Sequence, residues 1–196
     1  MKKNILFIVL LAVSTLSANA QTTWKSDAAH SKVSFSISHM VISDVTGRFT
    51  DFEATLIQTK DDFMDAKLNA TIKTKSINTD NEGRDKHLRS ADFFDAEKYL
   101  EITFVSKSFE KNGKNAYKIT GDLTMHGVTK LVVLDTKFNG TVNDPWGNTK
   151  AGFKATTTVN RKEFGIVYNK TLEAGGLLLG EDVEVAINVE LAKEKK

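Results

Sequence analysis

Guanidinium, imidazole and carboxylate groups crowd one short stretch of this chain, Arg84-Asp85-Lys86-His87-Leu88, closely followed by Asp92-Phe93-Phe94-Asp95. Arg84 and His87 stand three residues apart, so on a helix they project from one face. Such a face suits an anionic or carbonyl-bearing head group. The competing reading makes Arg84 and Asp85 ion pairs that seat the helix on the rest of the fold. Catalysis here would use His87 with Asp85 or Asp92, but no nucleophile is marked beside them. The four histidines, His30, His39, His87 and His126, show no metal-ligand spacing such as H-E-x-x-H or H-x-H, and no metal site is expected. Nucleophile elbow, P-loop and dinucleotide fingerprint are all missing. Gly175-Gly176, ahead of Leu177-Leu178-Leu179-Gly180, reads as a turn because no helix pattern follows to cradle a phosphate.

The elements that must position these groups are mostly strands. Val33, Phe35 and Ile37 alternate with Ser34, Ser36 and Ser38. The same period of two runs through Ala66 to Ile72, Ala151 to Val159 and Val183 to Leu191. Each predicts a half-buried antiparallel strand. Further strands are expected near Phe52–Ile57, Glu101–Ser106, Ala116–Leu123 and Lys130–Phe138, with turns at 111–115 and around the lone proline, Pro145. Asp80 to Ser90 lacks alternation and predicts a short helix with Asp80 as N-cap, and Ala96 to Tyr99 suits a further turn. Many short strands with one helical insertion and no linker imply a single all-β domain, a barrel or a sandwich. Inward positions mix Ala with Phe. That fits a tapering packed core or a barrel holding one ligand, and the pattern leaves both open.

Composition bounds the partners. The chain of 196 residues is 40% hydrophobic and 27% charged, as in ordinary globular proteins. Its 27 basic residues exceed 25 acidic ones only through Lys2 and Lys3. Those two belong to a leader, so the remainder is neutral and gives no electrostatic reason to expect nucleic acid or an anionic membrane as partner. The absence of Cys excludes disulfides, thiolate metal sites and a Cys nucleophile. Met1 to Ala20 reads as a signal peptide: Lys2-Lys3, an apolar run from Ile5 to Val13, and Ala18-Asn19-Ala20 as cleavage site. A mature domain over 21–196, exported to a periplasm or secreted, is expected. The apolar run is shorter than the ~20 residues of a membrane span.

Five blocks together resemble one known family. They are Trp24-x-x-Asp27-x-x-His30-Ser31 running on to Phe35-x-Ile37-x-His39; Gly47-Arg48-Phe49-x-x-Phe52; Arg84-Asp85-x-His87-Leu88 with Asp92-Phe93-Phe94-Asp95; Gly121-Asp122-Leu123-Thr124-x-x-Gly127-Val128-Thr129; and Asn160-Arg161-Lys162-Glu163-Phe164-Gly165 with the closing Val183–Glu190 strand. In this order they resemble the YceI-like family over Trp24 to Leu191. Leu100 stands where the family often has proline, and Glu163 where aspartate is frequent. The resemblance implies an extended, antiparallel, lipocalin-like β-barrel of about eight strands whose interior binds a polyisoprenoid, a quinone or another long-chain amphiphile. That favours a ligand-filled barrel over a packed one.

On this basis the expected apolar tunnel is lined by Phe35, Ile37, Phe93, Phe94, Phe104, Phe153 and Phe164. His39, Arg84, His87 and Arg161 are expected near one mouth, around the ligand's polar end. His39 follows the apolar triplet of its strand, and Arg161 ends the Ala151–Val159 strand. The rival reading pairs both arginines with Asp85, Asp92 or Glu163. The functional expectation is a non-enzymatic lipid carrier or scavenger, needing no cofactor beyond a bound isoprenoid lipid or quinone as ligand. The alternatives are an enzyme acting on the lipid head group through His87, and a packed structural module. A free barrel edge would permit a homodimer, although no residue demands one.

Overall fold

The computed structural model describes residues 21–171 and 177–195. The proposed leader and the Gly175-Gly176 turn lie outside the described residues. Among the described residues eleven strands and one α-helix follow one another: β1 (Thr22–Ser26), β2 (Lys32–His39), β3 (Ser43–Phe49), β4 (Phe52–Gln58), β5 (Lys67–Lys73), β6 (Ile77–Asn78), α1 (Glu82–Arg89), β7 (Glu101–Lys111), β8 (Ala116–Met125), β9 (Val128–Asn143), β10 (Thr149–Asn160) and β11 (Leu179–Lys193). Eight of them, in the order β1-β4-β5-β7-β8-β9-β10-β11, close on themselves because β1 pairs back to β11. All pairings are antiparallel. The expected eight-stranded barrel is the architecture found.

The other three strands extend that barrel at the end we call upper. A 3-10 turn at Ala28–His30 separates β1 from β2, and another at Thr74–Ser76 separates β5 from β6. Between β3 and β4 the break falls at Thr50 and Asp51, and the neighbouring breaks are tied together: the Thr50 amide donates to the Ser76 carbonyl at 3.1 Å and the Lys73 amide to the Asp51 carbonyl at 2.9 Å. Above this belt β6 pairs only with β3, and α1 with the loop behind it covers the gap.

The N-cap of α1 is Asn81, not Asp80. The Asn81 side chain accepts from the Arg84 amide at 2.9 Å. Asp80 instead takes a left-handed backbone, φ 58°, and its carboxylate receives two hydrogen bonds from the Arg48 guanidinium. Both residue types cap helices well, and the contact with Arg48 on β3 decides between them. Ala96 to Tyr99 forms a turn, as expected.

Alternation sends one face of every long strand inward, and the inward side chains form two clusters. The lower one holds Trp24, Leu56, Phe104, Phe109, Tyr117, Phe153 and Leu191. Phe63 enters it from the loop after β4, only 3% exposed and 5.1–5.2 Å from the rings of Phe138 and Phe153, so it plugs the lower end. Close packing here demands glycine at one position: a Cβ on Gly121 would lie 2.4 Å from the Phe104 ring and 2.6 Å from the Val105 carbonyl oxygen. The upper cluster contains Phe49, Ile77, Phe93, Met125, Val159 and Phe164, but it surrounds open space.

An ion-paired group staples β10 to the first turn of the chain. Lys150 Nζ lies 2.7 Å from Asp27 and 3.1 Å from Glu190, and all three side chains are partly buried. The hydrogen bond from Lys150 lowers the Asp27 carboxyl to about 2. An unfolded Asp titrates near ~3.9, so this contribution to stability is present above that value and is lost as pH falls from about 4 to 2. Lys150→Met should therefore lower stability by a constant amount above about pH 5, and the gap to the parent should close between pH 4 and 2. Urea midpoints measured across that range check it.

Candidate functional site: an apolar chamber with a polar mouth

The upper cluster encloses a chamber of about 720 Å³. That lies within the ~300–1,000 Å³ usual for small-molecule sites. Its walls come from the inward faces of β2, β3 and β11, with Phe35, Ile37, Val45, Phe49, Val183 and Val185. Val183 pairs with Ile37, and Val185 with Phe35, in the β11–β2 register. The shape of this wall depends on one glycine. A Cβ on Gly47 would meet the Phe35 ring at 2.4 Å, so only glycine lets that ring lie back against β3. Leu88, Phe93 and Phe94 cover the chamber from the helical insertion. Ile166 and Tyr168 close the far side.

Polar groups gather towards the upper rim. His39 ends β2, Asp44 begins the return on β3, Arg84 and His87 share the inner face of α1, and Arg161 opens the 3-10 turn after β10; all five line the chamber. Arg84 and Asp85 do not pair with each other. They share Thr79: Arg84 Nε donates to the Thr79 hydroxyl at 2.7 Å and one Nη to its carbonyl at 2.8 Å. Asp85, buried, accepts from the Thr79 amide at 2.8 Å and its hydroxyl at 2.6 Å. That arrangement seats the helix and leaves part of the Arg84 fork uncommitted. His87 Nε2 lies 2.9 Å from Asp92, and its ring meets Phe93 and Tyr168 edge-on at 5.0 Å.

Arg161 is the unusual member. It is 4% exposed, with no carboxylate within ion-pair reach among the described residues. Nε donates to the Gly180 carbonyl, and Nη1 to those of Ile166 and Tyr168, each at 2.8 Å. Nη2 is buried with no hydrogen-bond partner among the described residues. Burial lowers the guanidinium pKa, with Glu181 opposing it from a distance. Among the described residues this buried cation meets carbonyls alone, and such an arrangement leaves a positive field that an anionic or carbonyl oxygen would satisfy.

The expected tunnel residues divide between two levels. Phe35, Ile37, Phe93 and Phe94 line the chamber. Phe104 and Phe153 line a separate void of about 100 Å³ in the lower cluster. Phe164, 2% exposed, packs into the upper core without reaching the chamber surface. The division is one side-chain layer deep: Val33 and Ile187 face the lower void, while Phe35 and Val185, two residues away on the same strands, face the chamber. Ile166, Tyr168, Leu178 and Leu179 also line the chamber and were not among the expected residues, because 165–180 carries no alternation from which an inward face could be read.

A second constellation, Asp27, His30 and Glu190, brings three ligand-type atoms within 4.8 Å of one another on the surface. The Lys150 ammonium already stands between the two carboxylates, where a metal cation would have to lie. Among the described residues no helix is long and apolar enough to cross a membrane.

The family model described as YceI-like domain matches residues 24–191. A UPF0312 protein of Staphylococcus aureus strain USA300 is 40% identical over 172 residues, which cover 87% of this chain and 98% of the relative. The crystal structure of a Campylobacter jejuni YCEI protein has a TM-score of 0.67 at 34% identity, covering 81% of this chain and 90% of that one. A polyisoprenoid binding domain from Saccharophagus degradans shares the fold with a TM-score of 0.67 at 15% identity, covering 87% and 98%.

Proposed function

The chain belongs to the YceI-like domain family, and from that premise and the shape of the upper chamber we propose that it is an exported binding protein. It holds one long-chain isoprenoid, or a similar amphiphilic lipid such as a quinone, for carriage, storage or scavenging. The observation that carries this reading is the asymmetry of the cavity: apolar walls such as Phe35, Ile37, Val183 and Val185, packed core below, and His39, Arg84, His87 and Arg161 at the upper end. Burying a chain in such walls is worth ~0.8 kcal/mol per CH₂, and no covalent chemistry is needed. The rim donors would meet the head group, each charge-assisted hydrogen bond adding ~1.5–3 kcal/mol. Export rests on the leader, Met1 to Ala20.

The expected result of extracting purified mature protein with organic solvent is a long-chain lipid at about one per chain by mass spectrometry, with the protein beginning at Gln21. An empty extract, and no uptake of an offered prenol or quinone, would favour a packed structural barrel. Conversion of the offered lipid to a new species, lost in His87→Gln, would favour the enzyme, for which the His87–Asp92 pair supplies an oriented base.

A further inference from the structure

The β2–β3 hairpin ends in a turn that its own sequence disfavours. Met40 and Val41 both take positive φ, 52° and 63°, and the Ile42 amide closes the turn on the His39 carbonyl. Two consecutive positive φ values in a hairpin call for Asn-Gly; a β-branched residue there is an outlier with a conformational cost. Packing does not explain apolar side chains at Val41 and Ile42, which are 80% and 81% exposed; Met40, 37% exposed, is the half-covered base of the tip. Backbone strain kept at an exposed apolar tip points to a use for that tip.

Its location narrows the use. The flanking residues His39, Ser43 and Asp44 line the chamber, so Met40 to Ile42 stand directly outside its rim. The neighbouring segment adds to the same edge: the Met40 amide donates to the Leu178 carbonyl at 2.8 Å, Leu177 beside it is 40% exposed, and Val167, next to the chamber residue Tyr168, is 61% exposed. The tip itself bears no charge.

We propose that the Met40-Val41-Ile42 tip, with Val167 and Leu177 beside it, is a membrane-docking edge that enters the apolar layer of a lipid bilayer and brings the chamber mouth to the surface. The proposal rests on the lipid-binding reading, because a water-insoluble chain has to pass between the chamber and a lipid phase. Uncharged side chains of this kind favour the interface through apolar burial alone. Docking should then need no anionic lipid and should survive added salt, which screens charge and leaves apolar burial intact. A second protein seated on the same edge would give no such dependence on vesicles.

The test compares the parent with Met40→Asn/Val41→Gly, and separately with Ile42→Ser, which leaves the strained turn untouched. Flotation with phosphatidylcholine vesicles, with and without one-third phosphatidylglycerol, measures docking. Uptake of a vesicle-borne fluorescent prenol measures transfer, and binding of the same prenol added from ethanol measures the chamber. The double variant should float roughly tenfold less and take up vesicle-borne prenol more slowly, while ethanol-delivered prenol binds as in the parent. Its melting temperature should rise, by about 2–4 °C for each kcal/mol of relieved strain. Equal flotation and uptake by parent and both variants would overturn the docking edge. Failure of the parent to bind prenol by either route would instead defeat the lipid-binding reading beneath it. A lower melting temperature in the double variant would show that the turn serves folding and would also count against the proposal.

Discussion

Replacing Arg161 by Leu should cost the folded protein about 2–4 kcal/mol, and Lys should not restore it. Three carbonyls, those of Gly180, Ile166 and Tyr168, converge on one guanidinium at 2.8 Å each. Hydrogen bonds to a charged group are worth ~1.5–3 kcal/mol apiece, and a buried carbonyl left alone costs ~1–3 kcal/mol. Part of that loss is offset because the variant no longer buries a cation whose Nη2 has no partner among the described residues. Lysine presents one ammonium on a flexible stem, which cannot reproduce a planar fork reaching two segments at once. Urea unfolding should show a lower midpoint with an unchanged slope, and the melting temperature should fall by roughly 5–15 °C. The far wall of the chamber hangs from these bonds, so every chain-bearing ligand should bind less well. A loss for a pyrophosphate- or quinone-headed lipid in excess of that for a plain hydrocarbon of equal length would report contact with the head group. A variant as stable as the parent would show that the carbonyls find other partners, and that Arg161 does not hold this wall.

Alternation along Lys32–Ser38, Ala66–Ile72, Ala151–Val159 and Val183–Leu191 was enough to read an all-β domain of half-buried strands, because a period of two reports which face of a strand is buried; the choice of a barrel over a sandwich came from the family resemblance. It says nothing of height along the axis. Phe35 and Phe104 are equally inward by pattern, yet the first lies in the chamber and the second in the lower cluster. Register fixes the height: Phe104 stands opposite Ala70 and Leu123, and Phe35 opposite Gly47 and Val185. Those registers depend on turn lengths and on bulges such as the one between Ser106 and Ser108, which no local pattern marks. The short strands β1 and β3 escaped the pattern for a related reason. In β3 the residues Ser43 to Phe49 alternate poorly, with Gly47 inward where a larger side chain would displace Phe35. The polar rim was more legible, since Arg84 and His87 share a helical face and His39 and Arg161 sit at strand ends. What spacing could not supply was the partner of each arginine. Thr79 and three carbonyls took the places offered to Asp85, Asp92 and Glu163.

Val183→Trp should weaken binding of a long-chain lipid more than a hundredfold and leave the empty protein within ~1 kcal/mol of the parent. Val183 faces the chamber from β11 opposite Ile37, where about 720 Å³ of space lies beside it. An indole there fills the cavity and need not force its neighbours apart, so the ~1–3 kcal/mol usual for overpacking is largely avoided. The ring would take the room of roughly four methylenes of the ligand. At ~0.8 kcal/mol each that is about 3 kcal/mol, or rather more than a hundredfold in affinity. Phe153→Trp is the matched control. It adds a larger ring at the 100 Å³ void among the packed aromatics Phe63 and Phe138, so it should destabilise by ~1–3 kcal/mol while the folded protein still binds lipid normally. Titrating a prenol into both variants, alongside their urea midpoints, separates the two levels of the barrel. If Phe153→Trp abolished binding and Val183→Trp did not, the chain would lie in the lower cluster, and the upper chamber would be no more than its entrance.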